Sequence, residues 1–422
     1  MNPSQFGLVS SIYTLGGLVG ALSAGPVATK YGRLLALRAT TLFFILGPLV
    51  MSMAASIFVM SFGRLLAGVG AGAAIVVGPI YISEIAPPGA RGFFGAFTQI
   101  MTNVGILLTQ TLGLFLSKRK KWRIILVAAS IIGAVELFGL FLVPESPIWL
   151  AEHDKAPLAK RVLQLIRGDG AEVDAEIAGW DASARPGPEE EEETLLAQPD
   201  NASAKQPPVT ILRAITDSAY RTAIIAVVGV MMAQQFTGIN SIVMYSVSLL
   251  QSILPTRAAL LTVMISAINL VITLACSPLP DKIGRRKCLL LSITGVGCDS
   301  ILLALGIYFN QKALSAIAAL LFVAFFAVGL GPVPFILASE LVGPEAVGAT
   351  QSWALSANWI ATFVVAQFFP VVNDSLGGRG KVYWIFAMLA GLLGGFIYGF
   401  VPETKGKASA DEVWGREDRR ED

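Results

Sequence analysis

The sequence predicts an all-α polytopic membrane protein, with eleven membrane helices in two pseudo-symmetric halves of five and six. Apolar residues arrive in runs of about twenty or more, the length a helix needs to cross a bilayer. Eleven such runs can be marked along the 422 residues. The composition agrees, since 54% of residues are hydrophobic and 14% charged, whereas soluble domains carry roughly a quarter charged residues. A net charge of +2 gives no electrostatic reason to expect nucleic acid. Cys276, Cys288 and Cys298 sit in or beside apolar runs, so they form neither a disulfide framework nor a metal-spaced cluster. The only histidine is His153, which removes most zinc and histidine-based catalytic schemes. No cofactor and no enzyme chemistry are expected.

In chain order the runs cover 7–28, 34–60, 65–86, 93–116 and 123–143, then 221–250, 257–280, 288–308, 313–339, 348–372 and 381–401. This divides the chain into a first membrane half (1–143), a central loop (144–220), a second membrane half (221–402) and a tail (403–422). The loop holds an amphipathic helix from Ala156 to Ile166, then an acidic, proline-rich stretch expected to be disordered. Residues 1–6 lack a basic segment, so no cleavable signal peptide is expected. Lys30, Arg33, Arg38, Arg91, Lys282, Arg285, Arg286 and Lys287 share one side with the central loop, which the positive-inside rule assigns to the cytosol. The cluster from Lys118 to Lys121 opposes that assignment, but more loops favour it.

A short loop occurs twice. Gly25 to Arg33 and Ser277 to Arg286 each end in a Gly-Arg pair, with Gly32 and Gly284 252 positions apart. Glu84 and Glu340 form a second pair at an offset of 256. Two pairs at nearly one offset indicate homologous halves related by an axis along the membrane normal, the arrangement of major facilitator transporters. Two runs precede the loop in the second half and one in the first. The chain is therefore expected to lack the first helix of a twelve-helix parent.

Five motifs in order carry a family resemblance. They are Gly63-Arg64-Leu65 with Gly68, Gly70 and Gly72; Pro79 to Pro87 with Arg91, Gly92 and Gln99; Pro144 to Leu150; Gln234 to Asn240 with Tyr245; and Pro402 to Gly406. Together they resemble the sugar porter family, from about Gln5 to Glu412 with the central loop excluded. Members move monosaccharides and polyols by alternating access.

A sugar presents neutral hydroxyls, so a site for it needs neutral groups that both donate and accept, plus an aromatic face. Intramembrane amides normally face the bundle interior. Gln234, Gln235 and Asn240 fit this, although such amides also serve simply to hold helices together. The resemblance adds Gln99, Asn269, Asn358, Trp359 and Phe335 to the substrate-binding set, and Tyr245 and Arg64 to the gates. It also implies a cytosolic salt-bridge network of Arg33, Glu84, Arg91, Asp281, Arg285, Arg286 and Glu340, joining the halves in the outward-open state.

The sequence departs from the pattern at several positions. Thr29 and Leu34 replace an acid and a second base, and Val347 replaces an arginine, which predicts a thinned network. Phe335 stands where many members carry tryptophan, and Ala327 where glucose facilitators carry glutamate. Glu136 is an intramembrane carboxylate and hence a candidate proton site. Glu191 to Leu196 fits an acidic dileucine sorting pattern, in which Leu195 and Leu196 would engage sorting adaptors. The expected function is transport of a monosaccharide, facilitated or proton-coupled, across the plasma membrane or a vacuolar or endosomal membrane. The alternatives are a polyol or inositol transporter and a transport-inactive sugar sensor. The short tail from Lys405 to Asp422 favours transport over sensing.

Overall fold

The computed structural model describes residues 3–87, 91–117, 120–153, 155–168, 173, 177, 211–243, 258–343, 346–407 and 410–415. These residues form helices and connecting turns, without a strand among them. A bilayer leaves the backbone no water to bond with, so the apolar runs satisfy their amides internally as helices.

The first half holds α1 (Pro3–Tyr31), α2 (Arg33–Ser52), α3 (Ile57–Ile85), α4 (Arg91–Leu116) and α5 (Trp122–Gly139). Two short helices follow, α6 (Pro147–Glu152) and α7 (Ala156–Arg167), and then α8 (Ile211–Thr216). The second half holds α9 (Ser218–Phe236), α10 (Ala258–Cys276), α11 (Leu279–Ile283), α12 (Arg285–Tyr308), α13 (Lys312–Val328), α14 (Val333–Glu340), α15 (Val347–Ser375) and α16 (Val382–Phe400). The chain ends its described part in α17 (Ala410–Trp414). Eleven helical stretches among the described residues are long and apolar enough to cross a membrane.

Within the first half α3 packs on α1 and α2, and α2 on α5; within the second, α12 packs on α13 and α16, and α9 on α15 and α16. The halves meet where α1 lies on α15 and α4 on α10. Two kinds of packing result. The second half is built on one large buried cluster that includes Val230, Met231, Ile293, Phe322, Leu337 and Tyr383. In the first half α1 and α3 instead touch backbone to backbone: a Cβ on Gly16, Gly20, Gly68 or Gly72 would collide with a carbonyl of the facing helix. Small residues allow this close approach where lipid supplies no hydrophobic drive.

Two runs expected to be continuous are broken. The run 313–339 divides into α13 and α14 at Gly329 to Pro332, where proline has no amide hydrogen to continue the ladder. The span that begins with α9 turns at Thr237-Gly238, with Gly238 at φ +93°, before resuming over 239–243. The run 34–60 also ends earlier than its hydropathy suggests. Helix α2 stops at Ser52, and Ser56 caps the start of α3 by accepting from the Val59 amide at 3.3 Å. The helix expected over 156–166 is α7.

Candidate functional site

The two helix breaks meet at adjacent glutamines, Gln234 and Gln235. The break between α13 and α14 frees the carbonyls of Leu330 and Gly331, and Gln234 Nε2 donates to them at 2.6 and 3.0 Å. Asn358 Nδ2 and Gln235 Nε2 both donate to Gln234 Oε1, the latter at 3.1 Å. The turn at Gly238 folds Asn240 back onto the same group, so that Asn240 Nδ2 donates to Gln235 Oε1 at 2.5 Å. The result is a continuous chain of amides, Asn358–Gln234–Gln235–Asn240, drawn from α9, its continuation and α15. Gln234 and Gln235 are buried, while Asn240 and Asn358 are half-buried. Among the described residues the side-chain oxygens of Asn240 and Asn358 accept no hydrogen bond.

A second chain crosses between the halves. Gln99 Nε2 donates to Asn103 Oδ1 at 3.4 Å, Asn103 Nδ2 to Thr273 Oγ1 at 3.0 Å, and Thr273 Oγ1 to Asn269 Oδ1 at 3.3 Å. Asn269 also lines a cleft with Ile106, Gln110, Ile242, Thr262 and Ser266. Trp359 is buried, its ring packs over Gly17 of α1, and its Nε1 has no hydrogen-bond partner among the described residues. Phe335 lies half-buried on α14, just beyond the break. Neutral donors and acceptors of this kind can hold hydroxyls without a charge in the membrane.

The charged residues form two matching clamps at the other end of the molecule, here called the basic face. In the first half Arg33 Nη2 lies 2.8 Å from Glu84 Oε1, and Arg33 Nη1 donates to the Ala28 carbonyl at 3.0 Å. Glu145 accepts the Arg33 amide at 3.0 Å, at the N-terminus of α2 where a carboxylate is favourable. In the second half Arg285 Nη2 lies 2.8 Å from Glu340 Oε1, Nη1 donates to Pro280 at 3.2 Å, and Glu403 accepts the Arg285 amide at 2.7 Å. Gly32 and Gly284, with φ of +105° and +101°, make the turns that press each loop against its carboxylate.

The comparisons with known proteins follow this geometry. A family profile described as "Sugar (and other) transporter" matches residues 2–414. The chain belongs to that sugar transporter family. A probable metabolite transport protein of Saccharomyces cerevisiae, YBR241C, is 36% identical over 98% of this chain and 83% of its own length. The glucose transporter GlcP of Staphylococcus epidermidis is 30% identical over 98% of this chain and 89% of its own. Among solved structures, the xylose transporter XylE from E. coli in a partially occluded inward-open conformation superposes with a TM-score of 0.79 at 25% identity, over 96% of this chain and 89% of that one. The chain is thus an integral membrane sugar transporter with the major facilitator fold.

Several site residues of this transporter lie elsewhere than the sequence suggests. The recorded ion pairs Arg33–Glu84, Arg285–Asp281 and Arg285–Glu340 close inside one half each, rather than across the two. Each arginine starts a helix beside the end of α3 or α14 of its own half, so its nearest acid is its own. Among the described residues Arg286 meets no acid: its guanidinium donates to the Tyr398 carbonyl and lies over the Tyr398 ring. The missing base at Leu34 is replaced one turn later. Arg38 donates to the Leu140 carbonyl at 2.9 Å and lies over Phe141, so the first clamp is less thinned than its motif implies. Glu136 is exposed on α5. Arg64 lies over the Tyr13 ring at 5.6 Å, far along α3 from Glu84. Tyr245, Leu195, Leu196 and the side chain of Arg91 fall outside the described residues.

Sequence reasoning missed Asn103 and Thr273, although each stands four residues after a predicted site residue, on the same helix face. It also missed Asp299 in the middle of α12, which is 3% exposed with Oδ2 lacking a hydrogen-bond partner among the described residues.

Proposed function

We propose that this transporter carries a monosaccharide of hexose type through the space between its halves by alternating access. The supporting observation is the pair of amide chains, Asn358–Gln234–Gln235–Asn240 and Gln99–Asn103–Thr273–Asn269. Together with the unpartnered Trp359 Nε1 they offer neutral donors and acceptors beside an aromatic ring. Spans broken near the middle of the membrane commonly build transporter substrate sites, and Gln234 ties two broken spans together. A polyol such as inositol presents the same hydroxyl chemistry and is the nearest alternative substrate.

The test is uptake of labelled hexoses, pentoses and inositol into vesicles, with and without a pH gradient. Saturable uptake of one sugar, abolished by Asn358→Ala or Gln235→Ala, is expected. If no sugar is taken up while one still binds, the sensor reading replaces transport. Proton coupling through Glu136 is a separate proposal. Its exposed position on α5 gives it no direct support, and unchanged pH dependence in Glu136→Gln would remove it. A sorting role for Leu195 and Leu196 is tested by relocating the protein with Leu195→Ala and Leu196→Ala.

A further inference from the structure

The contact between α1 and α15 is made by residues outside every motif. Ser11 is fully buried, and its Oγ donates to Gln367 Oε1 at 2.7 Å. Gly7, one turn earlier on the same face of α1, lies so close that a Cβ there would stand 2.6 Å from the Gln367 carbonyl oxygen. Nearer the basic face, Tyr13 meets Trp359 edge-on with ring centroids 6.3 Å apart, and Gly17 carries the Trp359 ring. Gln367 stands eight residues beyond Trp359, roughly 12 Å further from the basic face along α15. These contacts thus fall between residues 7 and 17 of a helix that runs from Pro3 to Tyr31. Among the described residues, the ion pairs of Arg33 and Arg285 on the basic face each stay on their own side of the boundary between the halves.

We infer that the Ser11–Gln367 hydrogen bond, seated on Gly7, is the latch that holds the transporter closed on the side opposite its basic face. The inference rests on the alternating-access reading. Its chemistry suits a latch that must open in every cycle. Both partners are neutral, so separating them strands no charge. Water entering the opened vestibule would replace the lost bond, so breaking it forfeits only its net value. A neutral bond of ordinary strength changes an open-to-closed ratio by roughly three- to tenfold. Gly7 adds shape, because a side chain there would wedge the two backbones apart.

The experiment uses the full chain in intact cells, with Cys276, Cys288 and Cys298 replaced and a reporter cysteine at Gln110, which lines the cleft between the halves. Its rate of modification by a membrane-impermeant thiol reagent added outside reads how often that side opens. Ser11→Ala and Gln367→Leu are expected to raise the rate roughly three- to tenfold, with Ser11→Thr, which keeps the hydroxyl, close to the parent. In a second background, cysteines at Ser11 and Gln367 are bridged by a short bifunctional thiol reagent. Bridging should stop uptake, and a reducing agent should restore it when the bridge is cleavable. Unchanged labelling in both Ser11→Ala and Gln367→Leu, or uptake that continues in bridged protein, would overturn the latch. The labelling rate is read without transport, so failure of uptake in the parent would sink the transport reading and leave the latch test intact.

Discussion

In the first half Arg33 pairs with Glu84, its amide is held by Glu145, and Ala28 takes its remaining contact; in the second half Arg285 does the same with Glu340, Glu403 and Pro280. Around this shared frame the halves diverge. Asp281 adds a second acid 2.8 Å from Arg285, where the first half has Thr29 and only Glu152 at 4.0 Å from Arg33. The second base is Arg286 in one half and Arg38, four residues later in register, in the other. Both nevertheless reach main-chain carbonyls at matching places, Leu140 and Tyr398. The end of each half's carboxylate-bearing helix is also capped. Arg167 of α7 donates to the Ile85 carbonyl at 2.8 Å, and Trp414 Nε1 of α17 to the Leu341 carbonyl at 3.0 Å. The lesson is that helix termini, with their unsatisfied amides and carbonyls, dictate what must be supplied. The residue that supplies it is free to change type and move by a turn.

The largest test of this comparison is to remove each clamp acid in turn. Glu84→Gln leaves Arg33 buried without its partner, an expected loss of about 3–5 kcal/mol. Glu340→Gln leaves Asp281 beside Arg285, and about 1.5–3 kcal/mol is expected. Thermal and denaturant unfolding in nanodiscs would measure both, and equal losses would break the asymmetry. Next comes a position where the repeats differ in kind. Gly47 of α2 and Asp299 of α12 are 252 positions apart, like the two Gly-Arg pairs. A Cβ on Gly47 would lie 2.7 Å from the Ala67 amide nitrogen, so Gly47→Ala should cost about 1–3 kcal/mol. Asp299→Leu should instead stabilise by about 1–3 kcal/mol, because it removes a buried carboxyl oxygen that has no partner. A lower unfolding midpoint for that variant would show that the carboxyl is needed where it stands.

Smaller effects sharpen the register shift. Arg38→Ala and Arg286→Ala should each cost about 1.5 kcal/mol. A loss for Arg38→Ala that matches the loss for Arg286→Ala would locate the first half's second base at Arg38. The smallest effect is expected at the cap of α14. Trp414→Phe keeps the ring but removes the donor to Leu341, for about 1 kcal/mol in the same assay.

The amide site was partly legible before the structure. Gln234, Gln235 and Asn240 share a motif, the family resemblance adds Asn358, and the four hydrogen-bond in one chain. Their bonding to one another was not legible, because it depends on a turn at Gly238 and on a second helix break whose carbonyls lie nearly a hundred residues away. A helical-face reading of Gln99 and Asn269 could have reached Asn103 and Thr273, but the bond between those two spans 170 residues. Ser11 and Gln367 carry no local signal at all. A serine and a glutamine in apolar helices become a pair only when α1 and α15 are laid together.

By itself the sequence determined the eleven membrane-crossing helices, the repeated loop and the family, because helix formation in lipid follows from apolar length and backbone self-satisfaction alone. Only the tertiary structure decided that Arg33 and Arg285 pair within their own halves, that Arg38 stands in for the absent base, and that Ser11 meets Gln367. Those outcomes depend on distances between residues far apart in the chain, and side-chain bonds form only within about 3 Å of a partner.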